Sequence, residues 1–246
     1  EKLSDEYGKL PKLEFPIYPS PRVSTSLVEP YNAVLTIKRQ IEHVSGSVVM
    51  DNQAIFDITR RYIKDKKPSY DDLNEIISCA TSSLTTSLRF GGPVFDEMAE
   101  FETNLVAYPR IHFFITSFVP LVPSTLTSRS PSVAEMTQFA FDPLFTLAKC
   151  DPSHGGYIAS TLMYRGHVIP SEANAAISVL GTDKKIHFCD WVPSVFGASL
   201  NTLKIPSLPG RNFKSPSQAV CTISSNTSIE YVFSRMGENF DRLFPK

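Results

Sequence analysis

The chain has 246 residues, 42% of them hydrophobic and 20% charged; this is ordinary globular composition, long enough for one large domain or two unequal ones, and it excludes intrinsic disorder. Its 24 basic and 25 acidic residues nearly cancel, which leaves no electrostatic footprint for nucleic acid or an anionic membrane. Four scattered cysteines, Cys79, Cys150, Cys189 and Cys221, form neither a C-x-x-C pair nor a dense framework, the usage of free buried thiols in a reducing compartment rather than of a disulfide scaffold or a zinc site.

The opening EKLSDEYGKLPK is charged where a signal peptide would be apolar. Residues 111–128 are the longest weakly charged run, but Pro120 and Pro123 interrupt it and it is too polar to span a bilayer. The sequence is therefore expected to be soluble. Asn226, Thr227 and Ser228 match a glycosylation acceptor, which without a secretory signal reads as coincidence.

Elements follow in chain order. LPKLEFPIYP alternates at Leu13, Phe15 and Ile17 with the period of a strand. A helix begins near Pro30, tolerated in a first turn, and carries Val34, Ile37 and Ile41 on one face. GSVVMD reads as a buried strand and DNQAIFDITRRYI as a helix with Ile55, Ile58 and Tyr62 inward. Ser69 caps a helix of about 20 residues, roughly 30 Å long, in which Leu73, Ile76, Ile77, Ala80, Leu84 and Leu88 keep helical spacing until Gly91 and Gly92 stop it.

Beyond the glycines a short acidic helix spans 96–106, with Glu97 and Glu100 at a spacing that shares one face. The strand RIHFFITSF, a Pro/Ser/Thr-rich loop over 120–131, and a helix opened by a capping box from Ser132 to Glu135 come next. YIASTLMYRG reads as a strand, SEANAAISVLG as a helix stopped by Gly181, and KIHFCDWV as a strand. A second Pro-rich loop spans 193–217, QAVCTIS is a strand, and the last helix lines up Ile229, Val232, Phe233, Met236, Phe240 and Leu243. Alternating strands and helices predict an α/β fold. The expected units are 1–68, an α/β part; 69–92, a central helix and its following loop; 93–225, a mixed α/β domain; and 226–246, the start of a C-terminal helical region.

From the residues alone, the site candidates have competing readings. Tyr70 and Asn74, four apart at a helix start, offer a ring that stacks and an amide that reads a base edge, or simply packing. Asn52 sits at a strand-to-helix turn, where α/β proteins place ligand contacts, or it caps the helix. Thr25 and Glu29 flank a similar turn and suit sugar hydroxyls, or capping. The five histidines have no metal spacing, and His112 in an apolar strand reads as a satisfied core residue. No G-x-S-x-G elbow is present for a serine hydrolase. Glu97 and Glu100 read as a catalytic pair or as the solvated face of a helix.

In collinear order, KLEFPIYPSPRVSTSLVEPYNAVL, MDNQAIFDITRRYI, PSYDDLNEIIS, SSLTTSLRF, EFETNLVAYPRIHF, SVAEMTQFAFDP, KCDPSHGGY, YRGHVIP, NAAI and DWVPSVF resemble the tubulin family over essentially the whole chain. The resemblance implies a Rossmann-like GTP-binding remainder, a long central helix and a mixed α/β intermediate domain. It implies GTP with Mg²⁺ as cofactors, the glycine-rich phosphate loop and the magnesium-side acid lying before residue 1, so that no residue of this chain is a metal ligand. By position, Ile17 matches an apolar wall of the pocket, Thr25 and Glu29 the sugar contacts, and Asn52, Tyr70 and Asn74 the guanine-reading set. Glu100 matches the acid that the α class carries, where the β class has a basic residue. In the family the helix that bears this acid is pressed onto the GTP of the next subunit, where the carboxylate orients or deprotonates the attacking water, and the resemblance implies that role for Glu100.

The long loop between Trp191 and Cys221 is a second α-class sign. The implied function is that of a microtubule subunit of the cytoplasmic cytoskeleton, paired with β-tubulin and open to microtubule-associated proteins and motors. No nucleic-acid or membrane partner is implied. Glu97 stands where the family usually has aspartate and Phe95 where it has asparagine. The 120–131 loop is one residue shorter and lacks the aromatic or histidine used for lateral contacts. That last departure favours an alternative, a non-polymerising relative that binds partners or nucleates filaments, whereas a stand-alone hydrolase using Glu97 and Glu100 would need its own enclosed substrate pocket.

Overall fold

The computed structural model describes residues 2–19, 26–63, 68–91, 96–123, 130–193, 195–206, 210 and 212–243. The helices are α1 (Lys2–Glu6), α2 (Glu29–His43), α3 (Asn52–Tyr62), α4 (Tyr70–Leu84), α5 (Thr86–Phe90), α6 (Met98–Leu105), α7 (Val133–Phe139), α8 (Pro170–Leu180) and α9 (Glu230–Leu243). The strands are β1 (Leu13–Glu14), β2 (Ile17–Tyr18), β3 (Gly46–Asp51), β4 (Phe113–Val119), β5 (Val122–Pro123), β6 (Tyr157–Gly166), β7 (Phe196–Asn201), β8 (Phe213–Lys214) and β9 (Gln218–Asn226).

The main sheet runs β1–β3–β4–β9–β6–β7, with β2 also paired to β3, and β5 and β8 form a separate ribbon. β1, β2 and β4 are all parallel to β3; β9 lies antiparallel between β4 and β6, and β7 returns parallel to β6. The expected α/β class is what forms.

Every residue of β3 is buried because both faces of the strand are covered, which is why GSVVMD is a continuous run without polar alternation. Val48 and Met50 join a core with Ile55, Ile58, Leu73, Ile76 and Leu84 from α3 and α4. Val49 points the other way, toward Ala33 of α2 and Val232 and Met236 of α9. Further along that second face, α7 and α8 cover Leu162, Tyr164 and Val220. The sheet is thus the middle of three layers, with α3, α4 and α6 on one side.

Four local expectations need correction. The central helix is not one rod of about 20 residues: α4 ends at Leu84, and Thr85 (φ −96°, ψ 8°) separates it from α5. Hydroxyls of Ser83, Thr85 and Thr86 back-bond to the carbonyls of Cys79, Thr81 and Ser82 at 2.6–2.8 Å, a pattern that bends helices.

KIHFCDWV contributes only a single bridge, Phe188 to Tyr157. Beside β6 the pairing positions belong instead to 196–201, within the stretch expected to be a loop, where Ser160 to Arg165 pair with Phe196 to Asn201. In α2 the buried positions are Ala33 and Gln40 with Ile37 partly covered, while Ile41 is exposed; Tyr18 turns that face by donating from its hydroxyl to the Gln40 side chain at 2.5 Å. Glu97 does not share a helical face with Glu100, because it is the extended residue preceding α6 (φ −117°, ψ 148°).

Other expectations hold. The Ser132–Glu135 capping box forms in both directions, and Gly181 ends α8. Asn226 is 2% exposed, donates from its side chain to the Pro152 carbonyl and accepts from the Ser228 amide, so it is no glycan acceptor. His112 is buried, lies 3.3 Å from the Gln40 carbonyl through Nε2 and stacks on Phe113. The four cysteines are free thiols, but of the four expected to be buried only Cys221 is; Cys79, Cys150 and Cys189 are partly exposed.

Candidate functional site

Strand β3 ends at Asp51 and hands directly to α3, whose first residue is Asn52. The capping question at this turn has a clear answer. Asp51, not Asn52, is the N-cap, accepting the Gln53 amide at 2.7 Å. Capping therefore does not account for the partly buried Asn52. Ile17, 43% exposed, pairs with Met50 on the neighbouring strand, which sets it at the same carboxyl end of the parallel strands as Asn52.

Tyr70 is the first residue of α4 and 67% exposed; Asn74, one turn on, is also exposed. The start of α4 is held by a complete capping box, Ser69 with Asp72, and Asp72 also accepts from the Asn212 side chain at 2.6 Å. Glu75, Ile76 and Cys79 share a cavity wall with Phe118, Pro120 and Leu121, so α4 starts toward the carboxyl end of β4, which parallels β3. Glu29 opens α2, which follows β2, and lines a cavity of about 280 Å³ between α2 and α9 with Pro19, Leu27, Met236 and Leu243. Thr25 lies outside the described residues.

Glu100 is elsewhere. It stands in the first turn of α6, partly buried, its amide bonded to the Glu97 carbonyl. Phe101 and Leu105 anchor the helix in the core. Ala99 and Glu102 share a cavity wall with Glu42, His43, Val44 and Ser45, which immediately precede β3, and with Lys12, which precedes its neighbour β1. Helix α6 therefore lies at the amino end of β3 and Asn52 at its carboxyl end, separated by six strand residues, roughly 20 Å. The cavity beside α6 is polar, with Lys12, Glu42, His43 and Glu102 on its walls. Just past α6, exposed Tyr108 brings its ring within 5.4 Å of exposed Trp191, and Ile111, close to Tyr108 in sequence, is also exposed.

Sequence reasoning missed Asp51 and Arg235. Asp51 is fully buried and its carboxylate is ion-paired with the Arg235 guanidinium of α9. An Asp just before a helix is a legible cap signal; a partner 184 residues away carries none. Phe95 and residues 124–129 of the shortened loop lie outside the described residues, and among the described residues no group of three or more His, Cys, Asp or Glu is placed to hold a metal ion.

Parallel strands that deliver amides, a ring and a carboxylate on the helix starts beyond their carboxyl ends define the α/β class in which ligands are met at that edge. The match to known proteins is more specific. Residues 1–60 match the Tubulin/FtsZ family GTPase domain and residues 109–238 the Tubulin C-terminal domain. The chain belongs to the tubulin family. It is similar to the tubulin alpha-3 chain of Zea mays, 47% identical over 247 aligned residues covering 100% of this chain, and it spans 55% of that relative's length.

Proposed function

We propose that this chain serves as an α-class tubulin subunit: it pairs with a β-class subunit, holds the base and sugar of GTP at one end of its sheet, and lends Glu100 to the GTP of a neighbour at the other. Support for the class comes from the alpha-chain relative and the GTPase-domain match. In this reading Tyr70 stacks on the guanine, Asn52 and Asn74 use amide donors and acceptors on its edge, Ile17 walls the pocket, and Thr25 and Glu29 meet the sugar. Mg²⁺ would accompany the phosphates and lower their charge. None of these side chains is assigned to it.

The observation that carries the reading is the separation of Glu100 from Asn52 by the length of β3. A carboxylate about 20 Å away does not reach a nucleotide bound at Asn52, because general-base work needs hydrogen-bond reach. An acid at that distance, with the exposed Tyr108 and Trp191 rings on the segments near its helix, instead suits a second subunit docking there. The neighbour supplies phosphate positioning and Glu100 orients or deprotonates the attacking water. A cytoplasmic, cytoskeletal role with associated proteins and motors on the polymer follows from the same reading.

The test is Glu100→Ala in the full-length chain co-expressed with its β partner. Pairing on size exclusion should be unchanged, while phosphate release after assembly should fall by about 10²-fold or more. Wild-type phosphate release from assembled polymer would sink the role.

A further inference from the structure

Asp51 does three things at the turn that carries Asn52. Its backbone amide donates to the Leu147 carbonyl at 2.8 Å, its carboxylate accepts the Gln53 amide at 2.7 Å, and the same carboxylate accepts from Arg235 on α9. The side chain is 0% exposed whereas that of Arg235 is 30% exposed. A carboxylate left without its cation at such a depth is an uncompensated buried charge and turns toward water, which moves the Gln53 amide that it holds. Asn52 lies between those two residues. The nearby Cys150 thiol is kept protonated by burial, its pKa pushed up to about 11, so it adds no competing charge at neutral pH.

We infer that Arg235 is a positioning residue for base recognition: by fixing the Asp51 carboxylate from α9 it sets the β3–α3 turn and with it the amide of Asn52. This rests on the nucleotide reading of Asn52. An ion pair that only stabilised the fold would lower occupancy by all nucleotides alike. One that aims Asn52 alters the choice between bases.

The experiment compares GTP with ITP, which lacks the guanine 2-amino group. The full-length chain with its β partner is folded in an equimolar mixture, and the nucleotide retained by the α-class subunit is quantified. Wild type should favour GTP; no preference there would overturn the nucleotide reading itself. Given that preference, Arg235→Met should lower the GTP:ITP ratio about threefold or more. Asp51→Asn keeps an oxygen for the Gln53 amide but not the ion pair, and should lower it similarly, so it decides the matter if Arg235→Met does not fold. The double variant should lose no more than either single change, because both remove one interaction. A wild-type ratio in a folded variant, or additive losses, would overturn the inference.

Discussion

His112 bears on how a single residue is read. It occupies the residue just before β4, buried, stacked on Phe113 with ring centroids 4.7 Å apart. Burial holds its pKa below the ordinary 6.5 because the charged ring is desolvated; the Gln40 carbonyl and the Glu102 charge pull the other way and do not prevail. The unfolded chain therefore takes a proton near pH 6.5 that the folded chain refuses. Stability from neutral His112 is complete above pH 6.5 and is lost as pH falls toward the lower folded value. The urea midpoint should drop between pH 7.5 and 5.5, and His112→Gln, which cannot titrate, should shrink that drop; an equal drop in the variant would refute the assignment. At this scale much was legible. An apolar strand around a lone histidine predicts a core histidine, whereas the cap expected at Asn52 falls one residue earlier, on Asp51. The Asp51–Arg235 pair was not legible, since nothing local in EYVFSRMGE indicates which buried acid the arginine reaches.

Elements were legible where local pattern and tertiary environment agree. Ser69 and Ser132 cap their helices because each is followed three residues later by an acid that returns a bond to the cap amide. Ser69→Ala should cost about 1 kcal/mol in chemical denaturation. On the proposed nucleotide reading it should also weaken base contacts more than phosphate contacts, since Tyr70 and Asn74 ride on the first two turns of α4. An unchanged denaturation midpoint would show that the Asp72–Asn212 bond alone holds this helix start. Helical spacing from Leu73 to Leu88 hid the break at Thr85, because a bend made by hydroxyl back-bonding leaves the apolar period intact. FGASLN looked like loop because its small residues lack strand propensity. It pairs as β7 because Gly197 permits close approach: a Cβ there would lie 2.6 Å from the Thr161 hydroxyl. KIHFCDWV has better propensity yet contributes one bridge, since β7 pairs with β6 from Ser160 onward.

Across the whole molecule, α4 is the element on which one face of the sheet depends, packing Leu73, Ile76, Ala80 and Leu84 against residues of β3, β4 and β9. Ile76 is 0% exposed, and Ile76→Ala should cost about 2–5 kcal/mol by removing methyl groups from a filled core. Leu35→Ala, on the 62%-exposed outer side of α2, should stay within about 0.5 kcal/mol; equal losses in urea titrations would contradict the layering. The amino-acid sequence by itself determined the α/β class, most strands and helices, the two capping boxes and the family resemblance, since these depend on periodicities and pairs a few residues apart. Only the tertiary structure decided that β3 stands between Asn52 and Glu100, that β7 lies beside β6, and that Arg235 reaches Asp51. Those relations come from strand order and from contacts between distant segments, whose geometry exists only once the three layers have packed.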